Sequence, residues 1–339
     1  MAEPILEVTN LKTGFYSKQG FYNAVEDVSF SVYPGKTLGI VGESGCGKSV
    51  TCMSMLKLLP EKSARVDGGS SVKMHGQELV DKSKKEMCKI RGNEIAMIFQ
   101  DSMTSLNPVM TIGRQMEEPF MVHQGLSRVQ AKEKALEMLK KVGIPSPEIK
   151  MKQFPHQLSG GQRQRVMIAM ALSCSPEVLI ADEPTTALDV TIQAQIVRLM
   201  KQLQETSGTA IILITHDMGI VAEMADEIMV MYAGNVVEKA SKRELFQEPL
   251  HPYTKGLLAS IPSLSKDVER LYTIEGVVPG LQEMPCGCRF YDRCQSAMPV
   301  CKEKNPGLCE RDGRQVRCFL YEEGRGLRQN EQRGEPYSG

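Results

Sequence analysis

Three short stretches of the chain carry apolar residues without polar alternation: Leu38-Gly39-Ile40-Val41, Val178-Leu179-Ile180-Ala181 and Ile211-Ile212-Leu213-Ile214, the last ending at Thr215. Runs of this kind suit parallel strands covered on both faces. Between the second and third, Ile192, Ile196, Leu199 and Leu203 recur at helical spacing, and Gly208 follows as a C-cap. Strand, helix and strand in this order predict an α/β core. The middle third has a different rhythm. Ser127 followed by Gln130 is a capping-box pattern, and Ala135, Met138, Leu139 and Val142 line one face until Gly143, Pro145 and Pro147 end the helix. From about 101 to 175 the pattern is mostly helical, which predicts a helical subdomain inserted into a core made of 1–100 and 176–250.

Composition narrows the picture. A chain of 339 residues allows two domains. Lys+Arg and Asp+Glu both number 41, so no overall field draws the chain to nucleic acid or anionic lipid. The stretch Lys82, Lys84, Lys85, Lys89 and Arg91 lacks interleaved aromatics and reads as a solvated face, so no nucleic-acid partner is expected. The longest apolar stretch, around Val166 to Ala181, is broken by Ser173, Ser175, Pro176 and Glu177, too soon for a bilayer span. The start Met1-Ala2-Glu3-Pro4-Ile5-Leu6 lacks the basic and apolar pattern of a secretion signal. These features predict an intracellular chain that is soluble or held at a membrane by partners. Its ten cysteines are then not expected to form disulfides.

The chemistry begins directly after the first apolar run. Gly42-Glu43-Ser44-Gly45-Cys46-Gly47-Lys48-Ser49 has the spacing of a phosphate-binding loop. Glycines let successive N–H groups turn toward phosphate oxygens, Lys48 reaches the outer phosphates, and the Ser49 hydroxyl is placed for Mg²⁺. A helix starting near Lys48 adds its positive end. The candidate ATP site is therefore Gly42, Ser44, Gly45, Cys46, Gly47, Lys48, Ser49 and Val50. The second apolar run ends in Asp182-Glu183. Adjacent strand side chains point oppositely, so Asp182 is assigned to the Mg²⁺ shell and Glu183 to the attacking water as general base.

Three further segments complete a pattern: Leu158-Ser159-Gly160-Gly161-Gln162 before a helix on which Val166, Ala169 and Met170 share a face, Ala187-Leu188-Asp189, and Thr215-His216-Asp217. With Gln100 after Ile98-Phe99, this ordered set resembles the ATP-binding-cassette ATPases. The resemblance implies a P-loop α/β core with an inserted helical subdomain. It also implies a head-to-tail pair of subunits that sandwiches two ATP molecules. It assigns Lys48, Ser49, Gln100, Asp182, Glu183 and His216 to the cis site, with Gln100 joining the Mg²⁺ set and His216 meeting the γ-phosphate. It assigns Ser159, Gly160, Gly161 and Gln162 to the nucleotide of the partner, and Asp189 to the seam. An aromatic in the first strand stacks on adenine in this family; Phe15 fits by offset, with Tyr16 as rival and sheet packing as the plainer role.

Within that family, Phe99-Gln100-Asp101-Ser102-Met103-Thr104-Ser105-Leu106-Asn107-Pro108, the stretch from Glu183 to Gln195, and His251-Pro252-Tyr253-Thr254 with Leu257-Leu258 resemble the dipeptide and oligopeptide importers, closest to the first of their two ATPase subunits. The likeness implies an ATPase at the cytoplasmic face of the cell membrane. Its expected partners are a second cassette ATPase, two permease subunits and, indirectly, an extracytoplasmic binding protein. Relatives in this branch carry nickel, glutathione or sugars, and soluble cassette ATPases act on nucleic acid or ribosomes; these are the alternatives. Met116, Phe120 and Met121 either line a groove for a permease helix or form subdomain core.

The remaining chemistry lies in 251–320, a small cysteine-rich extension before a polar tail at 321–339. Cys288, Cys294, Cys301 and Cys318 have five, six and sixteen residues between them, unlike a zinc knuckle or a compact ferredoxin run. The resemblance implies a [4Fe–4S] cluster on these four, with zinc or free thiols as the alternatives and Cys286 and Cys309 extra. Few large apolar residues (Phe290, Tyr291, Phe319, Leu320) suggest that the extension needs a metal staple. Cys46, Cys52, Cys88 and Cys174 read as packing residues, Cys46 also as sensitive to alkylation.

Overall fold

The structure is a computed structural model and describes residues 3–100, 105–186, 188–261 and 272–322. The expectations placed on Asp101 to Thr104, on Ala187 and on most of the tail lie outside the described residues, as does the side chain of Leu203. The chain opens with a hairpin of β1 (Leu6–Ser17) and β2 (Gly20–Val32), then β3 (Thr37–Val41) and α1 (Lys48–Met55). Three short strands follow, β4 (Ala64–Val66), β5 (Ser71–Met74) and β6 (Gln77–Glu78), then α2 (Lys84–Ile90) and β7 (Ile95–Ile98). Between β7 and β8 (Val178–Asp182) lie the helices α3 (Ile112–Gln124), α4 (Arg128–Lys141), α5 (Pro147–Lys150) and α6 (Gly160–Leu172). The core resumes with α7 (Val190–Ser207), β9 (Ala210–Thr215), α8 (Met218–Met224), β10 (Glu227–Tyr232) and β11 (Asn235–Ser241). The last elements are α9 (Lys242–Gln247), α10 (Pro252–Ala259), α11 (Pro299–Glu303), β12 (Cys309–Arg311) and β13 (Arg314–Val316).

Two sheets organise these elements. An eight-stranded sheet runs in the order β12-β13-β11-β10-β3-β9-β8-β7, parallel from β10 to β7. A five-stranded antiparallel sheet is built on β1 and β2. The continuous apolar runs have a direct cause: Leu179 and Ala181 of β8 enter one core cluster with the inserted helices, while Val178 and Ile180 enter the cluster on the other side. Both faces of the strand are dry, so no polar alternation is possible. The helical subdomain is fastened to the sheet through the same cluster, in which Ala135 and Leu139 of α4 are fully buried and Met138 is partly so. The Ser127–Gln130 capping box is present, and Gly208 ends α7 in the left-handed conformation.

Met116 and Phe120 are buried within that cluster, so they are subdomain core and not a groove; only Met121 of the three is exposed. Arg91 is not part of a free basic face, since it donates to the Leu56 and Lys57 carbonyls at 2.7 Å each. Cys88 is exposed, which corrects its reading as a packing residue. No described helix is long and apolar enough to cross a membrane.

The C-terminal extension is rooted in the eight-stranded sheet. β13 pairs with β11, and Phe290 packs edge-on against Tyr232 and Tyr253 at 5.1 and 5.4 Å. Arg289 pairs with Glu26 and Arg317 with Asp27, the guanidiniums being nearly buried. A shared core therefore contributes to holding the extension, for which the sequence suggested metal alone. At its start, His251 caps α10 by accepting the Tyr253 N–H at Nδ1, 3.0 Å away. Complete burial drives its pKa down to about 3, from an ordinary 6.5. The unfolded chain takes up this proton near pH 6.5 and the folded chain does not, so stability falls as pH drops through that window. Denaturant titrations at pH 7 and pH 5 are expected to differ by about 2 kcal/mol from this group. His251→Asn, which retains a cap acceptor, removes that component; an unchanged pH slope in the variant would refute it.

Candidate functional site: a phosphate loop, a carboxylate pair and a distant helix cap

The loop from Gly42 to Gly47 connects β3 to α1 at the carboxyl end of the parallel sheet, where ligands bind in open α/β folds. Gly47 shows why the sequence is glycine-rich: its φ is 100°, and a Cβ would stand 2.8 Å from the Ala24 carbonyl. Lys48 is buried and donates from Nζ to the carbonyls of Gly42 at 2.8 Å and Glu43 at 2.9 Å. The ammonium thus lies folded over the loop into which phosphates would fit. Ser44 and Gly45 are exposed at the loop's crest. Cys46 is fully buried and burial raises its thiol pKa, so the expected alkylation sensitivity is corrected; only its main chain faces the loop's task. The Val50 side chain packs on the core, which leaves Val50 only its main chain to offer.

The carboxylates separate as strand geometry requires. Asp182 is buried and accepts a 3.0 Å bond from the Ser49 hydroxyl, which joins the two proposed Mg²⁺ oxygens in one place. Burial pushes the Asp182 carboxyl up and the Glu183 charge adds to this, while Ser49 and Lys48 oppose it. Glu183 leaves the strand in a left-handed conformation, φ 46°, and turns into a polar cluster. Gln100 Nε2 donates to it at 2.7 Å, Thr186 Oγ1 at 2.9 Å, and His216 Nδ1 lies 3.3 Å from its other oxygen. Partial burial raises the Glu183 carboxyl, but Thr186, His216 and the Lys48 charge together bring it below the ordinary glutamate value. The group is an ionised acceptor at neutral pH. Gln100, Asp182, Glu183, His216, Lys48 and Ser49 are therefore one constellation, to which the structure adds Thr186.

Ser159, Gly160, Gly161 and Gln162 lie elsewhere. Ser159 caps α6 by accepting the Gln162 N–H at 3.3 Å, and Gln162 returns a bond to the Ser159 N–H at 3.4 Å. The cavity above them is lined by these four residues with Leu188 and Asp189 and contains no phosphate-loop residue. Asp189 itself caps α7 through the Ile192 N–H at 2.9 Å. Phe15 is half-buried in β1 opposite Tyr22, while Tyr16 is exposed with its ring 4.9 Å from Phe21.

The cysteines sort into two groups. Cys288, Cys294, Cys301 and Cys318 stand within electrostatic reach of one another, whereas Cys286 is exposed and Cys309 donates to the Val316 carbonyl at 3.1 Å. Burial first, then the neighbouring thiols, raise Cys288 to about 11 and Cys318 to about 12. The Met298 main-chain N–H donates to Cys301 Sγ at 3.4 Å, a bond that steadies a ligating thiolate. Among the described residues, however, no three His, Cys, Asp or Glu side chains converge closely enough to chelate one metal ion.

The chain is similar to known proteins over most of its length. The ABC transporter family profile matches residues 25–186, and the profile for the C-terminal region of oligopeptide/dipeptide transporters matches 237–301. The oligopeptide transport ATP-binding protein AppD of Bacillus subtilis is 51% identical over 320 residues, 94% of this chain and 97% of its own length. The dipeptide transport ATP-binding protein DppD of the same organism is 49% identical over 322 residues, 95% of this chain and 96% of its own. Among solved structures, the dimeric post-hydrolysis cassette MJ0796 bound to ADP and Pi superposes with a TM-score of 0.63 at 28% identity, covering 70% of this chain and 99% of that one. The chain belongs to the ATP-binding subunits of the ABC transporters, in their oligopeptide/dipeptide branch.

Proposed function

We propose that this chain hydrolyses ATP at the cytoplasmic face of the membrane to drive import of peptides, as the first of two cassette subunits. The observation that carries the reading is the Glu183 cluster, in which Gln100, Thr186 and His216 converge on one ionised carboxylate beside the phosphate loop. Lys48 exchanges the Gly42 and Glu43 carbonyls for the outer phosphates. Ser49, Asp182 and Gln100 would hold Mg²⁺, which supplies positive charge across the phosphates. Glu183 takes the proton of the attacking water, and His216 orients both Glu183 and the γ-phosphate. Phe15 stacks on the adenine. Ser159, Gly160, Gly161 and Gln162 serve the nucleotide held by the partner, with Asp189 at the seam. Residues 1–250 act as the cassette and 251–320 as the importer-specific extension. The partners are a second cassette ATPase, two permeases and an extracytoplasmic binding protein, with no nucleic acid.

Purification of the Glu183→Gln variant with ATP from native membranes tests the assembly, with partners identified by mass spectrometry. Two multi-span permeases and a second cassette ATPase are expected. Recovery of soluble nucleic-acid-associated partners alone would replace the transport reading, and a binding protein specific for nickel, glutathione or a sugar would replace peptide as the cargo.

The extension's four gathered thiols, Cys288, Cys294, Cys301 and Cys318, are proposed as ligands of a [4Fe–4S] cluster with a structural role. Anaerobically purified protein is expected to contain about four iron atoms per chain and to lose them in Cys301→Ser. Iron-free protein whose extension resists protease as well before as after chelator treatment would rule the cluster out, and stoichiometric zinc would assign the site to the alternative.

A further inference from the structure

Glu43, the second residue of the phosphate loop, is gripped at each of its polar groups. Its carbonyl accepts from Lys48 at 2.9 Å. Its N–H, turned away from the loop, donates to the Tyr253 hydroxyl at 2.9 Å. Its carboxylate accepts from Arg293 Nη1 at 3.0 Å. The last two partners belong to the C-terminal extension, about 210 and 250 residues away in sequence. Neither is a casual surface group. Tyr253 is fully buried with its ring 4.7 Å from Tyr232. Arg293 has a side chain 6% exposed, and it also donates to the carbonyls of Ile274 at 3.2 Å and Glu275 at 2.9 Å, with its guanidinium 5.7 Å above the Tyr232 ring. The guanidinium is thereby built into its place before it meets Glu43.

We infer that Tyr253 and Arg293 are positioning residues for the phosphate loop, which makes nucleotide affinity depend on the C-terminal extension. The physical reason lies in what ATP binding must undo. Lys48 holds the Gly42–Glu43 shoulder by two carbonyl bonds and has to surrender them to reach phosphate. When it leaves, the Glu43 carbonyl keeps a 3.3 Å bond from the Cys46 N–H within the loop, and the Tyr253 and Arg293 bonds are what hold the shoulder from outside it. A loop that is held open binds phosphate without first being ordered, whereas an unheld one loses affinity to that ordering. The clamp touches neither the γ-phosphate site nor Glu183, so it acts on binding and not on the proton transfer. The inference rests on residues 42–49 being the nucleotide site, and the wild-type affinity checks that assignment separately.

Calorimetric titration of the full chain with ATP and Mg²⁺ tests it, with the variants Glu43→Ala, Arg293→Ala, Arg293→Lys, Tyr253→Phe and the double Glu43→Ala/Arg293→Ala. Each alanine change is expected to weaken ATP binding about tenfold, the scale of one charge-assisted bond. The double variant is expected to bind no more weakly than either single one, because both remove the same link. Arg293→Lys should recover most of the affinity. Tyr253→Phe should lose about threefold, since it removes the acceptor of the Glu43 N–H. Glu43→Ala leaves the extension intact, so it keeps the test decisive even if an Arg293 variant folds poorly. Wild-type affinity in Glu43→Ala, or losses that simply add in the double variant, would overturn the clamp. A wild-type chain that does not bind ATP would instead overturn the nucleotide site on which the clamp depends.

Discussion

Replacing Glu183 with glutamine is expected to leave ATP bound while slowing its hydrolysis by about 100- to 10,000-fold, the range attached to a single general base. Glutamine keeps the shape of the side chain: with its amide oxygen in the place of the Oε2 that accepts from Gln100 and Thr186, its NH2 faces His216 Nδ1, which accepts in the Nε2-protonated tautomer, so the cluster need not collapse. It cannot accept a proton from water. The backbone argues that this placement is selected for chemistry: Glu183 sits at φ 46°, a conformation uncommon for a side chain of its size, and is anchored by its N–H to the Ile214 carbonyl at 2.8 Å. In kinetic terms the loss corresponds to about 3–5 kcal/mol of barrier. The pH dependence carries a second signature. Since the carboxylate pKa lies below the ordinary glutamate value, the acid limb belonging to Glu183 falls below that range, and the group remains a competent base through neutrality. Single-turnover hydrolysis by the assembled transporter, compared between wild type and variant, measures the effect. Turnover within about fivefold of wild type would mean that another group takes the proton.

The second large effect is expected at Lys48. Truncation to alanine removes a buried ammonium that bonds two loop carbonyls and is directed at the outer phosphates in the bound state. A charge-assisted hydrogen bond contributes about 1.5–3 kcal/mol, and two to phosphate oxygens place the loss near 3 kcal/mol or more. ATP affinity should therefore fall by at least about 100-fold. Thermal unfolding supplies a direct check, because ligand stabilisation scales with the logarithm of concentration over affinity. Wild-type protein should gain stability steadily with added ATP, while Lys48→Ala should show almost none over the same concentrations. A variant stabilised as strongly as wild type would remove Lys48 from phosphate binding. The contrast between the two variants is itself diagnostic: one loses chemistry and keeps the nucleotide, the other loses the nucleotide.

Much of this site was legible in the sequence because its chemistry depends on local spacing. The phosphate loop needs glycine at fixed offsets between a strand and a helix, and Gly47 at φ 100° shows why no other residue serves there. The pair Asp182-Glu183 diverges because consecutive residues leave a strand on opposite sides. Ser159 before Gln162 announces a capped helix because a hydroxyl and an amide three residues apart satisfy each other's backbone. The continuous apolar runs announced parallel strands because both faces of the sheet are covered.

What required the tertiary structure was everything set by neighbours remote in the chain. Met116 and Phe120 carry an apolar helical pattern that suits either a groove or a core, and only the packing of α3 within the shared cluster put them inside. Cys46 has the sequence context of a reactive thiol, yet complete burial keeps it protonated. The extension reads as a small domain in need of metal, but Phe290, Arg289 and Arg317 root it in the core by contacts that span more than 200 residues in the two ion pairs. The same distance hid Glu43, an unconstrained position in the loop's pattern until Tyr253 and Arg293 are seen to hold it. Sequence spacing fixes which backbone shapes and short-range bonds are possible. Burial and long-range pairing, which arise only when the sheet closes and the extension adds its strands, determine what each side chain can then do.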